Sequence, residues 1–257
     1  MPRTALVTGA SAGLGAEFAR QLAARRCNLL LVARRTDRLQ ELADALAREH
    51  DVRADVFAAD LSDPEAPAAI EEHAREHGMA IDWLINNAGV AGPKLLEERN
   101  WLAQRAFFEL MMISVANLCH RFVPPMVERG FGRVVNVASV AGRIARPAGA
   151  NYGPSKAYVI ALSEELELAL RGTGVKVSAL CPGYTRTEFV EAAGMQEEAE
   201  KVPDWMWYSA ETVVREGIEG VERGKPVVVS GRLYRLIDPI TQSVWARSLA
   251  KRLAPGR

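Results

Sequence analysis

Three residues in the second half of the chain have the types and spacing of a proton-transfer site. Tyr152 and Lys156 stand four apart in "NYGPSKAY", at the start of a helical apolar pattern. One turn apart, they present a phenol and an ammonium on one face. A neighbouring ammonium favours phenolate, so Tyr152 can trade a proton with an alcohol or carbonyl oxygen near neutral pH. Ser139 lies thirteen residues earlier, at the end of the strand-like run "GRVVNVAS", and can hydrogen-bond the same oxygen. Pro154 falls in the first helical turn, where a missing N–H costs little. A Tyr and a Lys four apart are common by chance, and the alternative for Tyr152 is a half-buried tyrosine at a helix start.

Positioning these groups requires strand ends, and the chain supplies them. Seven short, nearly all-apolar runs read as strands: 4–9, 27–34, 54–60, 81–87, 132–139, 175–182 and 226–230. Continuous apolar character is what a parallel strand buried on both faces needs. Helical periodicity fills the gaps in "GLGAEFARQLAARR", "TDRLQELADALAREH", "DPEAPAAIEEHAREHG", the stretch near 100–129 and "NYGPSKAYVIALSEELELALRG". Strand and helix in alternation predict an α/β fold of the Rossmann type, a doubly wound, about seven-stranded parallel sheet with helices on both faces. No linker or repeat divides residues 1–257, so one domain is expected, with an extra helical segment near 187–223 and a helical tail near 233–253.

The first strand runs into "TGASAGLGAEF", where Gly9, Gly13 and Gly15 are spaced G-x3-G-x-G. Glycine permits a tight turn and close approach to a pyrophosphate, while the helix that follows offers N–H groups and a positive dipole end. A plain loop would also use glycine, but this one sits at the first strand–helix junction. The second strand ends in "VARRTDRL". Where an acid would serve a free ribose 2′-hydroxyl, the chain has Ala33 followed by Arg34 and Arg35. Arginines can hold a 2′-phosphate by charge and a fork of hydrogen bonds, so NADP(H) is expected over NAD. Their alternative is a solvated helix start.

Composition narrows the partners. Apolar residues make up 49% of 257, enough for a sizeable core, and Lys plus Arg equals Asp plus Glu at 32 each. Zero net charge argues against nucleic acid or an anionic membrane as the main partner. Cys27, Cys119 and Cys181 are widely spaced among apolar residues and read as buried free thiols. His73 and His77 have helical spacing in "EEHAREHG" but no third ligand nearby, so no metal site is expected. No cleavable signal pattern is seen and no apolar run reaches 18 residues, which predicts a soluble cytoplasmic protein without a membrane span.

Taken together the motifs resemble the short-chain dehydrogenase/reductase family, in its single-domain NADP-using branch. The likeness covers about residues 4–190 and rests on "TGASAGLG", Asp60–Leu61, "NNAG" at 86–89, Ser139, Tyr152 with Lys156, and "PGYTRT" at 182–187. It implies hydride transfer between a nicotinamide and a carbonyl carbon, with a small-molecule carbonyl or alcohol substrate and a homodimer or homotetramer. It makes Tyr152 the acid/base and Ser139 the substrate-orienting group, with Lys156 tuning the tyrosine and holding the nicotinamide ribose. The glycine loop (Gly9, Ser11, Gly13, Leu14, Gly15) would hold the cofactor, Asp60 and Leu61 would meet the adenine, and Asn87, Ala88 and Gly89 would line the cofactor. Pro182, Gly183, Thr185 and Thr187 would cover the nicotinamide.

The same resemblance expects a relay asparagine on the long helix, about thirteen residues before a proline. Counting back from Pro124 in "RFVPPM" gives Met111, and from Pro125 gives Met112. Asn117 is six residues past Met111, about 240° round the helix, and cannot serve from the same face. A thioether is at best a weak acceptor. Ser114, on roughly Met111's face, either substitutes or simply packs. Residues 188–211 are the expected substrate lid, whose Trp205, Trp207 and Tyr208 either face an apolar or aromatic substrate or anchor the lid to the body. An NADP(H)-dependent carbonyl reductase or alcohol dehydrogenase is the leading expectation. The alternative, motivated by Met111, is an NADP(H)-binding regulatory member with little turnover. A sugar-nucleotide epimerase or dehydratase fits the length and glycine spacing less well.

Overall fold

All seven strand-like runs form one parallel sheet in the computed structural model, which describes residues 2–144, 150–192, 194 and 196–243. In chain order the first half comprises β1 (Thr4–Thr8), α1 (Gly13–Ala23), β2 (Asn28–Ala33), α2 (Thr36–His50), β3 (Ala54–Ala58), α3 (Ala66–Glu76) and β4 (Ile81–Asn86). A long helix follows as α4 (Trp101–Phe108), a π-helical turn at Glu109–Ile113, and α5 (Ser114–Glu128). Then come β5 (Gly132–Val137), α6 (Tyr152–Ala169), β6 (Val175–Cys181), β7 (Thr185–Arg186), α7 (Phe189–Ala192), α8 (Gln196–Glu200), β8 (Tyr208–Ser209), α9 (Ala210–Glu222), β9 (Val227–Val229) and α10 (Arg232–Gln242).

Strand alternation divides the core between the two faces of the sheet. Ala5 and Val7 of β1, with Leu29 and Leu31 of β2, point to the side covered by Phe18 and Leu22 of α1, Leu39 of α2 and Ile218 of α9. Leu6 and Leu30 point the other way, onto Ile70 of α3 and Leu118 and Phe122 of α5. All of these are fully or almost fully buried, which explains why the strands read as unbroken apolar runs. The sheet order is β3-β2-β1-β4-β5-β6-β9, with every neighbour parallel. The winding direction reverses between β1 and β4, and the crevice outside the strand ends there is where such sheets hold ligands.

Trp101–Glu128 is one 28-residue helix that is long and apolar enough, by length and composition, to cross a membrane. Here it packs against the sheet, with Leu118, Cys119, Phe122 and Met126 buried in the core. The three thiols are free and buried, as their apolar surroundings predict. Among the described residues no cluster of three metal-ligating side chains occurs. The helical tail runs to Gln242 in α10, and residues 244–253 of the expected 233–253 segment lie outside the described residues.

A buried polar chain ties the sheet to helices on the site side. Asn86 Nδ2 donates to Asn136 Oδ1 at 2.8 Å, and Asn136 Nδ2 donates to Ser163 Oγ of α6 at 2.9 Å. Cys119 Sγ of α5 lies 3.9 Å from the same Asn136 oxygen. Asn136 and Ser163 are completely buried, so breaking the chain leaves polar groups without water. Asn136→Ala is expected to cost about 2–4 kcal/mol in urea unfolding, and a loss under about 1 kcal/mol would mean that the chain does not bind α6 to β5.

Candidate active site

The cleft at the strand ends has a volume of about 1240 Å³ and gathers nearly all the residues singled out from the sequence. Its wall includes Gly9, Ser11, Gly13, Leu14, Arg34, Arg35, Asp60, Leu61, Asn87, Ala88 and Gly89. Ser139, Tyr152, Lys156, Pro182, Gly183, Thr185 and Thr187 complete it. Gly15 does not line the cleft: a Cβ there would lie 2.2 Å from the Gly9 carbonyl oxygen, so this glycine lets α1 close against the loop. Gly9 and Gly13 have positive φ of 65° and 54°, a backbone that other residues adopt only with strain.

The glycine loop leads to a helix end prepared for an anion. α1 has no side-chain cap and no acidic residue in its first turn, so its leading N–H groups remain for a bound partner. Asn87, on the cleft wall, holds the loop in shape. Its Nδ2 donates to the Thr8 carbonyl at 2.9 Å, while Thr8 Oγ1 receives the Asn87 and Ala88 N–H groups.

At the other side of this loop, Arg35 Nε and Nη2 both donate to Ser11 Oγ, at 3.1 and 3.0 Å. Arg34 Nη1 lies 3.6 Å from Asp60 Oδ2. Burial acts to raise the Asp60 pKa, but hydrogen bonds from Ser62 and the nearby Arg34 outweigh it and hold the carboxyl below its usual range. Sequence inspection missed two members of this cluster. Arg38 lies one turn along α2 from Arg35, and Glu188 reaches both from the lid. The spacing of Arg35 and Arg38 was visible; the reach of Glu188 across 150 residues was not.

Lys156 is the buried centre of the site. Its Nζ donates to the Val137 carbonyl at the end of β5, 2.6 Å away, and lies 5.8 Å from the centroid of the Tyr152 ring. Burial of the charge pulls its pKa down to about 8. Ser139 follows β5 in extended backbone, and its Oγ accepts the Ala141 N–H at 3.1 Å, which leaves the hydroxyl hydrogen to donate. Tyr152 is half-buried and its ring packs 6.0 Å from that of Phe189.

Met111 lies in the π-helical turn, buried, with its Sδ accepting the Val90 N–H at 3.3 Å. A Cβ on Gly89 would meet Met111 Sδ at 3.2 Å and Lys156 Nζ at 3.7 Å, so the thioether and the ammonium flank the same glycine. Met111 and Lys156 thus lie against the same stretch of the cleft wall. Ser114 donates back to Leu110 O at 2.8 Å and is a packing residue. Asn117 accepts from Arg121 Nε at 2.8 Å, a helix-surface pairing.

The aromatic lid residues stand elsewhere than on the cleft wall. Trp205 is exposed, and Trp207 stacks on Tyr184 with centroids 5.3 Å apart while its Nε1 donates to Val202 O. Tyr208 packs on Tyr234, and its Oη accepts the Leu233 N–H. Trp207 and Tyr208 thus anchor the lid to the body. Leu95, Leu96, Ile144, Tyr184, Phe189 and Val190 form the apolar part of the cleft wall instead.

The residues present fit a nicotinamide adenine dinucleotide phosphate: a glycine turn, an uncapped helix start, Arg34 and Arg35 on the cleft wall with Arg35 bonded to Ser11, and a cleft of sufficient volume. Comparison with known proteins agrees. The sequence model described as short chain dehydrogenase matches residues 3–198. Sulfoacetaldehyde reductase 2 of Chromohalobacter salexigens is 32% identical over 221 residues, covering 80% of this chain and 87% of that protein. Among solved structures, a short-chain dehydrogenase from Sphingobium yanoikuyae in complex with NADPH superposes with a TM-score of 0.83 at 31% identity, covering 100% of this chain and 98% of that one. The bulky-bulky ketone specific alcohol dehydrogenase from Comamonas testosteroni gives 0.77 at 28% identity, covering 100% and 96%.

The buried lysine has a measurable signature. A folded-state pKa of about 8 against an ordinary 10.5 means the unfolded chain holds this proton more tightly. The stabilisation associated with it is therefore complete above the ordinary value and lost as pH falls through about 8. Relative to Lys156→Met, wild-type melting temperature should rise between pH 8 and 10.5, and a flat difference across that window would show the lysine to be unshifted.

Proposed function

We propose, from the premise that this chain belongs to the short-chain dehydrogenase/reductase family and is an NADP(H)-dependent oxidoreductase of the CH–OH/C=O pair, that Tyr152 is its acid/base and that its substrate is apolar or aromatic. The bound cofactor supplies or accepts the hydride at its nicotinamide ring. For reduction, Tyr152 donates its phenolic proton to the carbonyl oxygen as that oxygen gains charge. Ser139 donates a second hydrogen bond to the same oxygen and fixes its place. Lys156 lowers the cost of the phenolate through its charge, and its bond to Val137 holds the ammonium beside the Tyr152 ring, where it would also hold the nicotinamide ribose. Oxidation reverses the roles, with phenolate taking the alcohol proton.

The observation that carries this reading is the convergence of Ser139, Tyr152 and Lys156 on one cleft whose other end holds the glycine loop. The substrate class is supported by Leu95, Leu96, Ile144 and Phe189, which line the cleft and remain between 36% and 66% exposed at its mouth. Assembly as a homodimer or homotetramer is part of the same reading. It is supported by Trp101, Leu102 and Ile113, exposed large apolar side chains on the long helix.

Tyr152→Phe removes the phenolic hydroxyl, and with it the transferable proton, and should lower carbonyl reduction by about 10²–10⁴-fold with NADPH affinity kept. Turnover equal to wild type across a panel of ketones and aldehydes would overturn the assignment. Met111→Asn places an amide beside Lys156 and should raise turnover or shift its pH profile. An unchanged rate and profile would show that proton exit runs by another route or never limits the reaction.

A further inference from the structure

The lid root carries an anion into the cationic corner of the cofactor cleft. Glu188 Oε1 and Oε2 both accept from Arg38 Nη1, at 3.0 and 2.8 Å, and Oε2 also accepts from Arg35 Nη1 at 3.4 Å. Arg35 uses its other edge on Ser11 Oγ in the glycine loop. The two arginines hold the Glu188 carboxyl below its ordinary pKa, with the Arg38 hydrogen bond the largest cause. Three chain segments thus meet at the Arg35 guanidinium: the β1–α1 loop through Ser11, the start of α2, and the residue that precedes α7.

We propose that Glu188 is a built-in surrogate for the 2′-phosphate of the cofactor, competing with it for Arg35 and Arg38 and so setting the affinity for NADP(H). The inference rests on the reading that the arginines after β2 receive that phosphate. A carboxylate brings one negative charge and two oxygens. A phosphate monoester brings close to two charges and three oxygens, and it displaces the weaker anion from the same guanidinium forks. The pairs are exposed, with side chains about half accessible, so exchanging one anion for the other costs little.

The neighbours of Glu188 give the exchange a consequence. Thr187 lies against Gly13 of the phosphate loop, and Phe189 lies against the Tyr152 ring. The residue competing for the 2′-phosphate corner is therefore flanked by contacts to the pyrophosphate turn and to the acid/base. Displacing Glu188 frees the lid root at the adenine end while both neighbouring contacts can persist.

Titration calorimetry of NADPH and NADH with wild type, Glu188→Gln, Arg35→Gln, Arg38→Gln and the Glu188→Gln/Arg38→Gln double variant tests this without reference to turnover. Glu188→Gln should tighten NADPH about three- to tenfold and NADH less than about twofold. The NADPH gain should shrink at high salt and largely vanish in the Arg38→Gln background. Equal tightening of both cofactors, or none, would overturn the proposal. Arg35→Gln separates the two levels: if it fails to weaken NADPH selectively, the underlying assignment of the phosphate corner falls. If it does weaken NADPH while Glu188→Gln changes nothing, only the surrogate role falls.

Discussion

A single hydrogen bond, from the Lys156 ammonium to the carbonyl that ends β5, sets the geometry on which the site depends. It joins the central part of the sheet to the second turn of α6 and buries a cation that would otherwise seek water. The cost is visible in the lysine's lowered pKa. That cost is tolerable only because the surrounding core is rigid. Asn86, Asn136 and Ser163 cross-link β4, β5 and α6 immediately behind it, with every member buried. Tyr152 is then placed by the helix pitch alone, one turn before the lysine. Ser139 is placed by the strand end that supplies the lysine's acceptor two residues earlier.

This dependence explains why so much was legible before any coordinates. Strand limits read from apolar runs differ from the observed ones by no more than two residues at either end, because the central strands are buried on both faces and end where water begins. The 36–50 helix was bounded correctly by its own polarity pattern. Local spacing likewise fixed Tyr152 against Lys156 and put the glycines at the first turn. Counting along the long helix singles out Met111, but the π-helical turn at Glu109–Ile113 departs from the α pitch that such counting assumes, and the structure sets Met111 beside Gly89.

What spacing could not supply was any contact between segments without a shared element. For Trp205, Trp207 and Tyr208, aromatic density alone could not separate a substrate-facing cluster from one that anchors the lid. In the fold, β8 pairs with β7 and turns Tyr208 toward Tyr234, while Trp207 leans on Tyr184. The cleft is walled instead by Leu95, Leu96 and Ile144, which lie in loops with no periodicity to read. Glu188 was likewise invisible: its partners are 150 and 153 residues away, and nothing in "RTEFV" distinguishes a bridging carboxylate from a solvated one.

The two ends of the cleft therefore handle charge by opposite means. At the reacting end one buried cation is held by a backbone carbonyl that cannot move without disturbing the sheet, so its field is fixed before substrate arrives. At the adenine end three arginines and two carboxylates lie in solvent, where each pairing is worth little and partners can be exchanged. Fixed charge suits a step whose barrier depends on placing a proton within hydrogen-bond reach. Exchangeable charge suits a step that must admit a highly charged ligand and later release it. Glu188 stands beside Phe189, which touches Tyr152, so the exchangeable end is only one residue removed from the fixed one. That adjacency sets the exposed arginine–carboxylate pairs and the buried lysine on the two sides of one lid root.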